Sequence, residues 1–325
     1  MRVISGIRPS GKLHIGNYLG TMLQWKKLQK ENECFFFIAD LHAITTPYDK
    51  NSFQKDILDT LIAYLAVGID PEKSIIFLQS QVKEHTELAW IFSTLSPFSE
   101  LKQMTQFKEK AKKHPKNVNA GLLNYPLLMA ADILLYKAEG VPVGKDQVQH
   151  LEFTREIARR FNKNFGETFP LPQPILSEGA KIMSLVDPKK KMSKTENPEG
   201  CVFLFDEPKE IERKIISAVT DSQKEIKYDP KRKPGISNLL MIFSLFTEIP
   251  IEKLEQKFKG KGYSDLKKNL VKVLVEKLAP FRKKRKELLQ REVFLKEILK
   301  RGKEKASLVA QLTIKEVKAK MGFFD

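Results

Sequence analysis

The rhythm of apolar and polar positions changes part-way along the chain, and the change predicts the architecture. In the first part, short apolar runs alternate with helical patterns. Arg2–Gly6 reads as a strand, and Cys34-Phe-Phe-Phe-Ile-Ala39 is a continuous aromatic run of the length a strand covered on both faces requires. Ser74–Leu78 is a third such run, and Val141–Val143 the end of a fourth. Between them, the spacing predicts helices over Tyr18–Glu31, Phe53–Val67, Glu84–Thr94 and Tyr125–Lys137. This alternation is that of a doubly wound parallel, Rossmann-like α/β sheet with helices on both faces.

After about Gly200 the strand signals fade. Charged segments with helical spacing take over at Pro208–Ala218, Ser237–Phe246, Ser264–Lys284 and Glu287–Leu299, which predicts an all-helical C-terminal domain. Prolines at 170, 172 and 174, and the loop from Asp187 to Pro198, forbid helix and form the natural joints. The expected division is a catalytic domain over 1–186, a mobile loop over 187–200 and a helical domain over 201–325, with the last helix a candidate to pack back on the catalytic domain. No internal repeat is visible.

Composition narrows the class. At 325 residues, 42% hydrophobic and 30% charged, with no apolar run long enough to cross a bilayer, the chain is expected to be a soluble two-domain protein. The amino terminus enters a strand at once and lacks the apolar stretch of a signal peptide, which points to the cytoplasm. Cys34 and Cys201 are too few for a four-cysteine zinc or iron–sulfur site and are expected to be core thiols. The 57 basic against 40 acidic side chains, a net charge of +17, suit a polyanionic partner, although a lysine-rich composition produces the same figure by itself.

Two loops carry candidate chemistry. The first strand runs into Gly6-Ile-Arg8-Pro9-Ser10-Gly11-Lys12-Leu13-His14-Ile15-Gly16-Asn17, and a helical pattern follows. Glycines let the backbone approach a nucleotide closely, a helix start offers N–H groups to phosphate, and Arg8, His14 and Asn17 add donors. The loop matches neither the dinucleotide fingerprint nor the P-loop. Far along the chain, Lys191-Met-Ser-Lys194-Thr195 places two ammonium groups beside hydroxyls, a set able to neutralise charge on a departing pyrophosphate. Taken singly, the first is also compatible with a glycine-rich turn and the second with a solvated basic loop.

Together, His14-Ile-Gly-Asn17 and Lys191-Met-Ser-Lys-Thr195 resemble the HIGH and KMSKS signatures of class I aminoacyl-tRNA synthetases, in the order those enzymes use. The segments Ile38–Thr45, Gln103–Lys110, Leu122–Tyr136, Val141–Gln147 and Met183–Pro188 look like successive segments of the bacterial tryptophanyl-tRNA synthetases, so the resemblance spans nearly the whole chain. It departs at Asn17 and Thr195, the last positions of the two signatures, and at Arg8, where many members carry glutamine.

The resemblance implies ATP, with Mg2+ held mainly by its phosphates, L-tryptophan, tRNA(Trp) and a homodimer. It implies phosphate-stabilising roles for His14, Asn17, Lys110, Lys191 and Lys194. ATP contacts would come from Arg8, Pro9, Ser10, Gly16, Asn17, Gly144, Lys145, Asp146, Ile182, Lys191, Met192, Ser193, Lys194 and Thr195. Some members carry an iron–sulfur cluster that needs four cysteines, which this chain lacks.

The amino-acid pocket is partly legible from the residues. Asn124-Tyr125-Pro126 reads as a helix start, after which Tyr125, Met129, Asp132 and Tyr136 share one face. Asp132 then lies in an apolar helix and needs a partner, either a core arginine or lysine or the N–H of a ligand indole. In the second case an analogue without the N–H leaves the carboxylate unpaired and is rejected. The resemblance favours the indole and adds Tyr125, Met129, Gln147, His42, Val141 and Val143 to the tryptophan site. In the helical part, Phe281-Arg282-Lys-Lys-Arg285-Lys286 is equally a tRNA-tracking surface or a solvated basic face. A tyrosine-specific relative and a small-molecule nucleotidyltransferase remain as alternatives. An inactive RNA-binding paralogue would be expected to have lost His14 or a loop lysine, and both are present.

Overall fold

The computed structural model describes residues 1–324 except 114, 145–146, 177–180, 195–196 and 224, together with the side chain of residue 113. Five parallel strands form one sheet: β1 (Arg2–Ile7), β2 (Glu33–Ile38), β3 (Ser74–Leu78), β4 (Gly140–Val143) and β5 (Gln173–Leu176), in the order β3-β2-β1-β4-β5. Helices cover both faces, in agreement with the doubly wound reading. β5 had no strand signal, because Pro174 lies within it. It holds an edge position, where a missing N–H costs no ladder bond.

The sheet opens at one place. β1 pairs with β2 through six successive residues but with β4 only through Val3 and Gly140, so β1 and β4 diverge toward their carboxyl ends. Strand order reverses there, and such a crevice is where open parallel sheets bind ligands.

Several helix bounds differ from the sequence pattern for identifiable reasons. The first helix starts at Ile15 rather than Tyr18, because Asn17 Oδ1 accepts the His14 backbone N–H at 3.1 Å. It passes through a π-helical turn at Tyr18–Met22 and ends at Leu28. The helix expected to start at Tyr125 spans Ala120–Leu134, with Asn119 as its cap accepting from Leu122 N at 2.8 Å. Pro126 therefore sits inside it and deprives the Leu122 carbonyl of its helical donor.

Beyond residue 200, helices are the regular elements among the described residues: Pro208–Ile216, Pro234–Thr247, Ile251–Lys257, Tyr263–Leu289 and Glu292–Met321. The apolar faces of the first four join the core on one side of the sheet. The last helix packs against β3 and helix Glu84–Ser93, adding Ala306, Ala310, Ile314 and Val317 to the core on the other side. Gly302 permits this approach, since a Cβ there would stand 1.8 Å from the Ile76 carbonyl oxygen. Both cysteines are buried. Among the described residues, no single helix is long and apolar enough to cross a membrane.

Candidate active site

A cleft of 1830 Å³ opens at the carboxyl ends of β1 and β4. One half is lined by cations and the other by a buried carboxylate in apolar surroundings.

The cationic half begins with the loop after β1. Its backbone is clamped by the segment following the lysine loop, through Ile15 N to Val202 O and Leu204 N to Leu13 O, both 2.9 Å. The His14 ring lies against Gly16, where an added Cβ would meet Cε1 and Nδ1 at 2.9 Å. Only glycine leaves the ring in place. Burial, and then Lys194 and Lys191, push the His14 imidazole down to about 3, so it is neutral at physiological pH. Its buried Nδ1 has no hydrogen-bond partner among the described residues.

The lysine loop folds onto this wall. Met192 N bonds Ile182 O at 3.0 Å, and Asn238 brackets Met183 with its side-chain amide at 2.9 Å in both directions. Lys194 thereby reaches across the cleft, donating to the Gly11 carbonyl at 3.2 Å. Burial first, and then Arg8, push Lys194 down to about 8, with Asp56 opposing. Lys110 is pushed down to about 8 by burial and by the same Arg8, and its ammonium sits 4.1 Å from the centre of the Tyr125 ring. Burial also lowers Arg8 itself. Burial and the Arg8 charge thus weaken two ammonium groups in a partly dehydrated cleft, an arrangement chemically suited to a polyanion.

The other half is built by helix Ala120–Leu134. Tyr125, Met129 and Asp132 line the cleft along one helical face, opposite Val141 and Val143 of β4. The Tyr125 hydroxyl meets His150 Nε2 at 2.7 Å. Asp132 is 2% exposed, yet neither an arginine nor a lysine is its partner. Its Oδ1 accepts from Gln79 Nε2 at 2.7 Å and from His85 Nδ1 at 2.6 Å, and its Oδ2 from His42 Nε2 at 2.7 Å. Burial acts to raise this carboxyl, but His42 and the hydrogen bonds from His42 and His85 prevail and hold it at about 2. Losing a ligand N–H would therefore not strip the carboxylate of partners. It would leave one lone pair of Oδ2 unfilled, a weaker basis for rejection than the bare sequence suggested.

The cleft brings together His14, Asn17, Lys110, Lys191 and Lys194; Arg8, Pro9, Ser10, Gly16, Gly144, Ile182, Met192 and Ser193; and His42, Tyr125, Met129, Asp132, Val141, Val143 and Gln147. Lys145, Asp146 and Thr195 lie outside the described residues. Sequence reasoning missed Gln79 and His85, which belong to no short motif. The available signal was that Gln79 directly follows the carboxyl end of β3. In the basic run, Arg282 is committed to the carbonyls of Asp206 and Val275, and Arg285 to Asp59 at 3.0 Å with its guanidinium over Phe205. Arg285 thus joins the helical part to the sheet part while Arg282 ties the helical part together, leaving Lys283 and Lys286 exposed and without an ion pair among the described residues.

A crevice at a strand-order reversal, walled by a histidine and glycine loop and a two-lysine loop, is the arrangement of a class I synthetase. Residues 1–279 match the family described as tRNA synthetases class I (W and Y). A tryptophan–tRNA ligase of Caldanaerobacter subterraneus subsp. tengcongensis is 52% identical over 323 residues, covering 99% of this chain and 98% of the relative. Among solved structures, tryptophanyl-tRNA synthetase from Mycoplasma pneumoniae superposes with a TM-score of 0.91 at 38% identity, covering 99% of this chain and 98% of the other. The Campylobacter jejuni enzyme, complexed with ADP and tryptophan, has a TM-score of 0.83 at 37% identity, covering 99% and 100%. The chain belongs to the class I tRNA synthetases of the tryptophan and tyrosine family.

Proposed function

We propose that the chain is a tryptophan–tRNA ligase, which activates L-tryptophan with ATP to tryptophanyl-adenylate and pyrophosphate and then transfers tryptophan to the 3′ end of tRNA(Trp). The full-length likeness to tryptophan–tRNA ligases supports this. The observation that carries the reading is one cleft with converging cations at one end and the acceptor-only Asp132 carboxylate at the other.

In this reading the tryptophan carboxylate oxygen attacks the α-phosphorus. The new O–P bond forms as the bond to the β-phosphate oxygen breaks, and pyrophosphate leaves with the accumulating charge. Lys191, Lys194 and Lys110, with Arg8, neutralise it, while neutral His14 and the Asn17 amide donate hydrogen bonds. Pro9, Ser10, Gly16, Gly144, Ile182, Met192 and Ser193 would flank the nucleotide, with Lys145, Asp146 and Thr195 completing its contacts. Asp132 would accept the indole N–H between Met129, Val141 and Val143, with His42 alongside, and Tyr125 and Gln147 would hold the amine. In the second step the terminal ribose hydroxyl of tRNA attacks the acyl carbon and AMP leaves. Both steps depend on positioning and charge stabilisation, with no covalent enzyme intermediate. Mg2+ would be held mainly by the triphosphate oxygens.

Residues 201–325 would bind the anticodon part of the tRNA, with Lys283 and Lys286 on phosphates and the 187–200 segment moving during the reaction. A cytoplasmic homodimer fits this reading. Its support is the exposure of Trp90, at 74%, and of Leu308 and Leu312 one turn apart on the helix packed beside it. Sedimentation finding only monomer overturns the dimer. The test of function is amino-acid-dependent ATP–pyrophosphate exchange with each standard amino acid, with and without Asp132→Asn. Stimulation by tryptophan is expected, and stimulation by tyrosine instead overturns the reading.

A further inference from the structure

Behind Asp132 lies a buried chain of polar groups that the reaction does not touch. The Tyr136 hydroxyl meets His85 Nε2 at 2.8 Å, and His85 Nδ1 meets Asp132 Oδ1 at 2.6 Å. Tyr136 and His85 are both fully buried, and the imidazole is ringed by Phe37, Phe77 and Tyr136 with centroids 6.1, 6.0 and 5.4 Å away. Neither His85 nor Gln79 lines the cleft, whereas Asp132 and His42 do.

The direction of the hydrogen bonds follows from the chemistry at each end. A carboxylate only accepts, so His85 Nδ1 carries a proton toward Oδ1. Burial and the nearby Asp132 charge raise Tyr136 well above a usual phenol, so its hydroxyl keeps its proton. His85 Nε2 is the one hydrogen-bond partner recorded for that hydroxyl among the described residues, and the proton points there. Oδ1 is then filled by His85 and Gln79, and Oδ2 by His42 with one lone pair remaining.

We propose that Tyr136 and His85 are positioning residues for amino-acid selection. They fix the rotation of the Asp132 carboxylate and turn its filled oxygen inward, so that one Oδ2 lone pair is presented to the cleft as the acceptor for the substrate N–H. This rests on the reading that Asp132 receives the indole N–H, and extends it to residues that never meet the substrate. Without the relay only Gln79 and His42 hold the carboxylate, its orientation loosens, and selection for an N–H donor weakens.

The test compares pyrophosphate exchange by the full chain with tryptophan and with its benzothiophene analogue, in which sulfur replaces the indole N–H. Tyr136→Phe should lower the preference for tryptophan about tenfold, with the loss falling on the tryptophan KM more than on kcat. His85→Leu should lower it further, and His85→Asn, which keeps a donor near the Nδ1 position, should recover much of it. The nitrogen NMR shifts of the ligand-free protein should show His85 protonated on Nδ1 and bare on Nε2, a pattern that Tyr136→Phe disturbs.

If folded Tyr136→Phe and His85→Asn keep the full preference while His85→Leu keeps it too, or if the proton resides on Nε2, the relay is overturned and the Asp132 reading stands. A wild-type enzyme indifferent to the sulfur analogue removes the Asp132 reading instead, and selection by the relay with it. The NMR assay is informative even where His85→Leu fails to fold.

Discussion

The two halves of the cleft both bury charge, and they treat it in opposite ways. At the cationic end, burial and then Arg8 depress Lys110 and Lys194, and Glu109 and Asp56 offset this only in part, so in the proposed function a polyanion relieves a standing electrostatic cost when it binds. At the amino-acid end, Asp132 is more deeply buried yet its oxygens are already met by Gln79, His85 and His42. In the proposed function the first arrangement would supply affinity and transition-state stabilisation through unbalanced charge. The second holds a carboxylate whose hydrogen bonds are nearly complete and, in the same reading, discriminates by where one lone pair points.

If this contrast is right, the largest loss should come from the cationic end. Lys194→Ala should lower tryptophan-dependent pyrophosphate exchange by about 100-fold or more, and Lys191→Ala by a comparable factor. Should both variants retain full exchange, the proposed stabilisation of pyrophosphate is wrong. At the other end, Asp132→Asn substitutes an amide whose N–H₂ confronts protein donors. It should cost tryptophan kcat/KM about 10- to 100-fold, the worth of a hydrogen bond to a charged group. An equal loss for the benzothiophene analogue would show that the carboxylate is structural.

Gly16→Ala should come next, about tenfold on exchange, by driving the His14 ring from its seat at 2.9 Å. A crystal structure of the variant with His14 unmoved would contradict that account.

The pH dependence separates the halves more finely. Lys110 and Lys194 titrate near 8 in the free protein, against about 10.4 for a lysine in the unfolded chain. Between those values the unfolded chain binds more protons, so these groups make stability rise with pH across that window. Bound triphosphate restores the protonated forms, so ATP binding near pH 8 should take up protons. Calorimetry in buffers of different ionisation heat measures this, and zero uptake there would mean that the lysines do not meet the phosphates. Asp132, held at about 2, should leave tryptophan binding without a carboxyl titration between pH 5 and 9. Smallest of all, Arg285→Ala should cost about 0.5–1 kcal/mol of stability through its partly exposed pair with Asp59, and should leave the salt dependence of tRNA binding unchanged. Lys283 and Lys286 should carry that dependence.

Much of the fold was legible because local patterns and global packing agree. The aromatic run of β2 is buried on both faces, and its short length and aromatic content favoured a strand where periodicity alone does not decide. β5 was not legible, since Pro174 reads as a breaker until the strand is known to sit at an edge. The start of helix Ala120–Leu134 was misread because proline suits a first turn, and only the Asn119 cap shows that the helix begins earlier. In the site, the two loops announced themselves through dense, unusual chemistry at short spacing. Gln79 and His85 did not, because they reach Asp132 from 53 and 47 residues away and belong to no local pattern.

By itself the sequence determined the strand and helix rhythm, the two signature-like loops and the presence of a carboxylate in an apolar helix, all of which depend on residues close together along the chain. The tertiary structure decided how the two oxygens of Asp132 are partnered, how deeply Lys110 and Lys194 are buried beside Arg8, and that Arg282 and Arg285 serve the fold rather than a free surface. Those outcomes depend on distances of a few ångströms between elements that sequence order does not bring together.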